Sequence, residues 1–136
     1  MIWEMYKVDP SLGTFFGVHT LGIGTIEACG DEEQKTRFLP DCYELKKITA
    51  FALTEPKYGS DATSMESYAV NAKDGRDGYL LNGEKFWIGN ATLADYIIVW
   101  AKNKDDMDKI QAFVIEKGQP GLIIKKIEGK YSMRMT

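Results

Sequence analysis

The chain has 136 residues, 44% of them apolar and 27% charged, a mix that fits one folded domain, or a small helical piece joined to one, and excludes a disordered or fibrous protein. Seventeen Lys and Arg against twenty Asp and Glu leave a net charge of −3, the wrong balance for a protein built to hold nucleic-acid phosphates. The longest apolar runs, such as Tyr96-Ile97-Ile98-Val99-Trp100-Ala101, are too short to span a bilayer, and Met1-Ile2-Trp3-Glu4-Met5-Tyr6 lacks the basic and long apolar stretches of a secretory signal.

In chain order, Asp9-Pro10 reads as an N-cap followed by proline at the first helical position. Leu12, Phe15, Phe16, His19, Ile23 and Ile26 then recur at spacings of mostly three and four, which predicts a helix with one apolar stripe, stopped at Gly30. The glycines at 13, 17, 22 and 24 weaken that helix by roughly 1 kcal/mol each against alanine, and make sense if another helix packs closely on it. Asp31 and Gln34 form a capping-box pattern for a second, short helix through Phe38-Leu39, with Pro40 as its expected end. From Lys46 the period changes to two. Ile48, Ala50 and Ala52 alternate with Thr49, Phe51 and Leu53 and read as a strand buried on both faces, and Tyr68, Val70 and Ala72 as another, closed by the turn cluster Asp74-Gly75-Arg76-Asp77-Gly78. Asn82-Gly83 between Tyr79-Leu80-Leu81 and Glu84-Lys85-Phe86-Trp87-Ile88 carries the signature of a type I′ hairpin. Further strands are expected at Tyr96 to Ala101, Ile110 to Ile115 and Leu122 to Ile127. The fold class is therefore α+β: a helical segment, residues 1–45, then a β-domain, residues 46–136, expected as an antiparallel barrel or sandwich. The last residues supply no terminating element, so the chain reads as part of a larger protein.

Chemistry concentrates in two stretches. In Ala52-Leu53-Thr54-Glu55-Pro56-Lys57-Tyr58-Gly59-Ser60-Asp61, a strand runs into a proline-set turn whose backbone N–H groups and Ser60 hydroxyl can face an anion. A β-turn capped by Asp61 accounts for the same residues, and Glu55 as a catalytic acid lacks a partner at a defined spacing. In Phe86-Trp87-Ile88-Gly89-Asn90, Trp87 can wall a planar cofactor, with Gly89 allowing close approach; a core tryptophan at a strand end fits equally. His19 sits on an apolar stripe with no metal-ligand partner in pattern, which makes it a packing residue. Asp105-Asp106-Met107-Asp108 reads as a solvated loop, short of a calcium-loop pattern. Cys29 and Cys42 are too far apart for a CxxC pair, and two free thiols suit a reducing compartment. No Gly-rich dinucleotide or P-loop motif is present.

Taken together, Leu53-Thr54-Glu55-Pro56, Gly59-Ser60-Asp61 and Trp87-Ile88-Gly89-Asn90 resemble the acyl-CoA dehydrogenase superfamily. Gly30-Asp31-Glu32-Glu33-Gln34-Lys35, Phe38-Leu39-Pro40, Gly121-Leu122 and the Lys130 to Arg134 segment extend the resemblance over nearly the whole chain after Asp9. Within it, the chain is most similar to plant peroxisomal short-chain acyl-CoA oxidases, with glutaryl-CoA dehydrogenases next; Tyr58 and Gly89 depart from the small residue and the threonine or serine that many dehydrogenases carry. The resemblance implies FAD as cofactor. It places Phe51, Ala52, Leu53 and Thr54 along the isoalloxazine, Gly59 and Ser60 at the pyrophosphate, Ser60 also at the CoA of the substrate, and Trp87, Ile88 and Gly89 as the flavin wall. It implies an acyl-CoA substrate oxidised to a trans-2-enoyl-CoA in fatty-acid β-oxidation, a homo-oligomer in the full-length protein, and a peroxisomal or mitochondrial-matrix location. The glutamate base belongs to a C-terminal helical domain that this chain lacks, so the chain itself is expected to carry no catalytic residue. A glutaryl-CoA dehydrogenase, a non-catalytic truncated isoform and an unrelated β-sandwich are the alternatives.

Overall fold

Asp9 starts a helix by accepting from the Ser11 N–H at 2.7 Å, and Pro10 supplies its first residue without an N–H to satisfy. In the computed structural model, which describes residues 2–72 and 78–134, this is α2 (Pro10–Cys29), preceded by a short α1 (Ile2–Val8) that the sequence reading did not anticipate. Gly30 ends α2 as expected. Asp31 and Gln34 then form the full capping box, each side chain bonding the other's backbone N–H, at the head of α3 (Glu32–Tyr43). Pro40 does not end α3. The last turn is held from outside: Cys42 is fully buried, and its carbonyl takes a hydrogen bond from the His19 ring. Leu45, in left-handed backbone with φ 55°, breaks the chain away afterwards.

Only His19 and Ile26 of the expected α2 stripe are fully buried; Ser11, Gly13 and Gly22 complete the covered face, and Leu12 is exposed. Gly13 meets the Tyr6 ring of α1, as a close helix contact requires, whereas Gly22 meets Thr49 of the first strand and Gly17 and Gly24 face open space.

The strands are β1 (Thr49–Ala52), β2 (Tyr68–Asn71), β3 (Tyr79–Asn82), β4 (Tyr96–Asn103) and β5 (Lys109–Glu116), with a 3₁₀ turn at Ala62–Ser64. The helix-then-sheet order stands, but the sheet is mixed and open rather than wholly antiparallel. β2–β3 and β4–β5 are antiparallel, while β1 and β2 both run parallel to β4. Long connections that leave the sheet and return permit this. β5 covers one edge of β4 along its whole length, so β1, opposite Tyr96 to Val99, and β2, opposite Lys102 and Asn103, share the other edge. The chain thus peels off β4 just after Ala52. The candidate site begins there.

Two expected strands are absent. Residues 84–88 form no ladder: Asn82 lacks the positive φ of a type I′ turn, and Gly83, at φ 147°, lies so close to Ser67 that a Cβ would sit 2.1 Å from its hydroxyl oxygen. Gly83 therefore marks a close crossing, and the hairpin closes instead between β2 and β3, where the Ala72 N–H reaches the Gly78 carbonyl. The turn expected at 74–77 lies outside the described residues. Leu122 to Ile127 pairs with no strand among the described residues, and Ile123 is 80% exposed. The β4 alternation buries both faces. Ile98 packs with Ile26, Phe38 and Leu39 under the helices, while Ile97 and Val99 pack with Ala50, Ala52 and Ala94 on the far side.

His19 ties the helices to the sheet. Its Nδ1 accepts from the Thr49 N–H at 3.0 Å, so the ring proton lies on Nε2 and is donated to the Cys42 carbonyl, also at 3.0 Å. The Thr49 hydroxyl returns a bond to the His19 carbonyl at 2.7 Å. Burial pushes the Cys42 thiol up to about 11, as befits a packing residue. Both cysteines are free thiols.

Candidate functional site

Main-chain groups alternate between the two edges of a strand. Just before β1 the Ile48 carbonyl points to β4, accepting from the Asp95 and Tyr96 N–H groups, whereas Thr49 turns its N–H to His19 and its carbonyl to the Asn90 amide. Phe51 and Leu53 follow Thr49 in turning to this outer edge, and the Leu53 carbonyl accepts from Lys85 Nζ at 3.0 Å. Loop 84–90 therefore runs along the outer edge of β1, fastened at one end by Lys85 and at the other by Asn90. The Phe86 N–H completes the clasp with a 2.9 Å bond to the Thr54 carbonyl. The two stretches singled out in the sequence, 33 residues apart from Thr54 to Trp87, are thus joined side by side.

Between those fasteners stands Trp87, at φ 59° and 61% exposed, its ring edge-on to Phe86 with centroids 4.9 Å apart. Left-handed backbone costs a bulky residue about 1–2 kcal/mol, and a large apolar ring left in solvent gains nothing to offset it. Ile88 turns inward against the Ala50, Ala52 and Val99 cluster. Asn90, also left-handed at φ 63°, is fully buried and donates to the Phe15 carbonyl of α2 at 2.9 Å and to Thr49 at 3.2 Å, which anchors the loop to helix and strand together. Phe51 shares the helix-side face with Thr49 and lies 6.2 Å from Trp100, while Ala52 is buried on the opposite face. Their side chains do not meet on one surface; their main chain does.

The bend itself is closed by reciprocal bonds between Glu55 and Tyr58, N–H to carbonyl in each direction. Glu55 is not a free acid. It is buried and accepts from Lys85 Nζ at 2.8 Å and from the Glu66 and Ser67 N–H groups at 2.7 and 3.0 Å. Burial alone would raise its carboxyl, but the bonds from Lys85 and the two backbone donors win and hold it at about 2. A carboxylate so committed is a poor proton acceptor at neutral pH. Gly59 and Ser60 stand exposed on the arm beyond Tyr58, outside the clasp proper, with open space around the glycine. Asp61 accepts from the Thr63 hydroxyl at 3.1 Å, so the turn is also locally satisfied.

Sequence reasoning missed Lys85 and the anchoring part of Asn90. Lys85 is a lone cation inside the run from Leu81 to Ile88, and that placement was the available signal. Among the described residues no three potential ligands gather as a metal site, and no helix is long and apolar enough to cross a membrane. Asp105 and Asp106 serve the β4–β5 turn, bonding the Asn71 N–H and the Gln111 amide.

Comparison with known proteins places the fold in a family. Residues 1–46 match the N-terminal domain of acyl-CoA dehydrogenase and residues 50–136 its middle domain. The chain belongs to the acyl-CoA dehydrogenase family. It is 38% identical over 135 residues to an acyl-CoA dehydrogenase of Bacillus subtilis (strain 168), covering 97% of this chain and 35% of that protein. It is 37% identical to the mitochondrial isovaleryl-CoA dehydrogenase of Pongo abelii, covering 96% and 31%. A glutaryl-CoA dehydrogenase structure from Mycobacterium smegmatis, in complex with FADH2, superposes with a TM-score of 0.81 at 36% identity, over 92% of this chain and 31% of that one. The chain thus spans about a third of the length of these curated relatives.

Proposed function

We propose that this chain forms the flavin-holding part of an FAD-dependent enzyme that dehydrogenates an acyl-CoA between its α and β carbons, giving a trans-2-enoyl-CoA. The observation that carries this reading is the Phe86–Thr54 bond, which sets an exposed indole beside the outer main-chain edge of β1. The residues fit the group. A strained, solvent-facing Trp87 is suited to lie against a planar ring system, the Phe51 to Thr54 edge offers main-chain donors and acceptors, and exposed Gly59-Ser60 leaves room for a pyrophosphate. FAD, when bound, accepts the hydride from the substrate β-carbon. The protein's part here is to hold that ring against Trp87 and the Ile88-Gly89 main chain, the Ile88 side chain being turned into the core, to orient it through the Thr54 main chain and hydroxyl, and to contact the CoA through Ser60.

Residues 1–45 then form the end of a helical domain and 46–136 a middle β-domain. The catalytic base comes from a helical domain outside these residues, in a homo-oligomeric full-length protein. The chain alone is expected to bind FAD weakly and to turn over no acyl-CoA. Gel filtration with FAD followed by an absorbance scan checks this; a stable yellow protein with one flavin per chain would contradict the division of the site. Fatty-acid and glutaryl substrates are both compatible with these residues, and a distal-carboxylate grip lies elsewhere. Of the two compartments the resemblance suggested, the mitochondrial one is supported by the Pongo abelii relative; the peroxisomal one is left without support.

Gly89 carries the finer, oxidase reading. Lacking a hydroxyl and a Cβ beside the reactive edge of the ring, it leaves space for O₂. In an enzyme containing this chain, Gly89→Thr is expected to slow reoxidation of the reduced flavin by air in stopped-flow absorbance. An unchanged rate ends the oxidase reading and leaves the dehydrogenase one.

A further inference from the structure

The Lys85–Glu55 pair is the most buried ion pair among the described residues, with side-chain exposures of 9% and 5%. Such a pair contributes little net stability against a well-packed apolar substitute, so its placement calls for another reason. Lys85 Nζ is shared between the Leu53 carbonyl at 3.0 Å and Glu55 at 2.8 Å, with Met65 Sδ at 4.0 Å. Glu55 in turn holds the backbone leading into β2. One ammonium thus ties the end of β1, the approach to β2 and loop 84–90. It sits two residues before Trp87, whose left-handed backbone must be imposed by its flanks.

Resting on the flavin reading above, we propose that Lys85 is a positioning residue for the flavin site: by gripping the Leu53 carbonyl and the Glu55 carboxylate, it fixes where the Trp87 indole stands relative to the Thr54 edge. Lys85 touches no reacting group; it acts through Trp87. Removal of the ammonium leaves this end of loop 84–90 held by the Phe86–Thr54 backbone bond alone, while Asn90 and the Ile88 contact keep the far end attached.

The test is FAD affinity of the chain, followed by ¹⁵N–¹H shifts, for the unaltered protein, Lys85→Met, Lys85→Arg, Trp87→Ala and the Trp87→Ala/Lys85→Met double variant. Lys85→Met is expected to weaken FAD binding tenfold or more with β5 resonances unmoved. Lys85→Arg, which keeps the charge but has a wider head, should weaken it about threefold. With Trp87 removed, Lys85→Met should add less than twofold, because its effect passes through the indole; a residue with only a structural part would give additive losses. If Lys85→Met fails to fold, the arginine variant decides. Affinity within twofold of the unaltered chain in whichever variant decides, or additive losses in the double variant, would overturn the proposal while leaving the flavin reading intact. No FAD-dependent shift at 51–54, 59–60 or 87–89 of the unaltered chain, even at saturating FAD, would remove both.

Discussion

Helix α2 contains a built-in comparison among its glycines. A Cβ at Gly22 would lie 2.3 Å from Thr49 Oγ1 and 2.6 Å from Thr49 Cβ, whereas at Gly17 and Gly24 it would meet nothing within 4 Å. Every Gly→Ala change in a helix interior gains about 1 kcal/mol from backbone entropy and propensity. At Gly17 and Gly24 that gain is expected in full, raising the melting midpoint by roughly 3–5 °C for a chain of this size. At Gly22 the methyl group must push Thr49 away. Thr49 is fully buried and bonded to His19, so it cannot yield without loosening both bonds. Overpacking of this kind costs about 1–3 kcal/mol, and a buried donor left unpaired about 1–3 more. The net for Gly22→Ala is a loss of roughly 1–5 kcal/mol, against a gain at the other two positions. Gly13 falls between, because the Tyr6 ring it would strike, 2.6 Å away, belongs to a partly exposed side chain on a short helix and can swing aside. Thermal unfolding followed by circular dichroism reads all four. A Gly22→Ala chain that is stabilised as much as Gly17→Ala would refute the docking of α2 on β1.

Two further outcomes follow from buried polar groups. Glu55 titrates at about 2 in the fold against an ordinary 4.5, so between those values the unfolded chain binds the extra proton. Its contribution, about 3 kcal/mol, is complete well above pH 4.5 and drains away as pH falls toward 2; urea midpoints across that range should decline more steeply than in Glu55→Gln. His19→Leu strands the Thr49 N–H and the Cys42 carbonyl, and is expected to cost about 2–4 kcal/mol in urea unfolding at an unchanged slope.

Local chemistry explains which parts of the fold were legible. The Asp9-Pro10 start, the Asp31/Gln34 capping box and the apolar runs of β1, β4 and β5 are set by neighbours in sequence, and they stand where sequence placed them. Pro40, Asn82-Gly83 and Leu122 to Ile127 were misread because a distant partner decides each. His19 holds the turn that Pro40 would end, Ser67 crowds Gly83 out of a turn, and residues 122–127 meet no strand among the described residues. Strand direction was equally hidden, since parallel pairing of β1 and β2 on one edge of β4 depends on connections rather than on strand composition. At the site, the two motifs were visible, but the bond joining them was not. Nor was Lys85, whose partner Glu55 lies thirty residues earlier. Glu55, weighed as an acid, is a buried acceptor.

The clasp between residues 53–55 and 85–87 is the element on which the functional reading turns, and a titration of the ¹⁵N-labelled chain with FAD probes it directly. Amide shifts confined to 51–54, 59–60 and 87–89, together with the Trp87 indole N–H, are the expected outcome. Shifts gathered elsewhere on the molecule, or at only one of the two stretches, would contradict it.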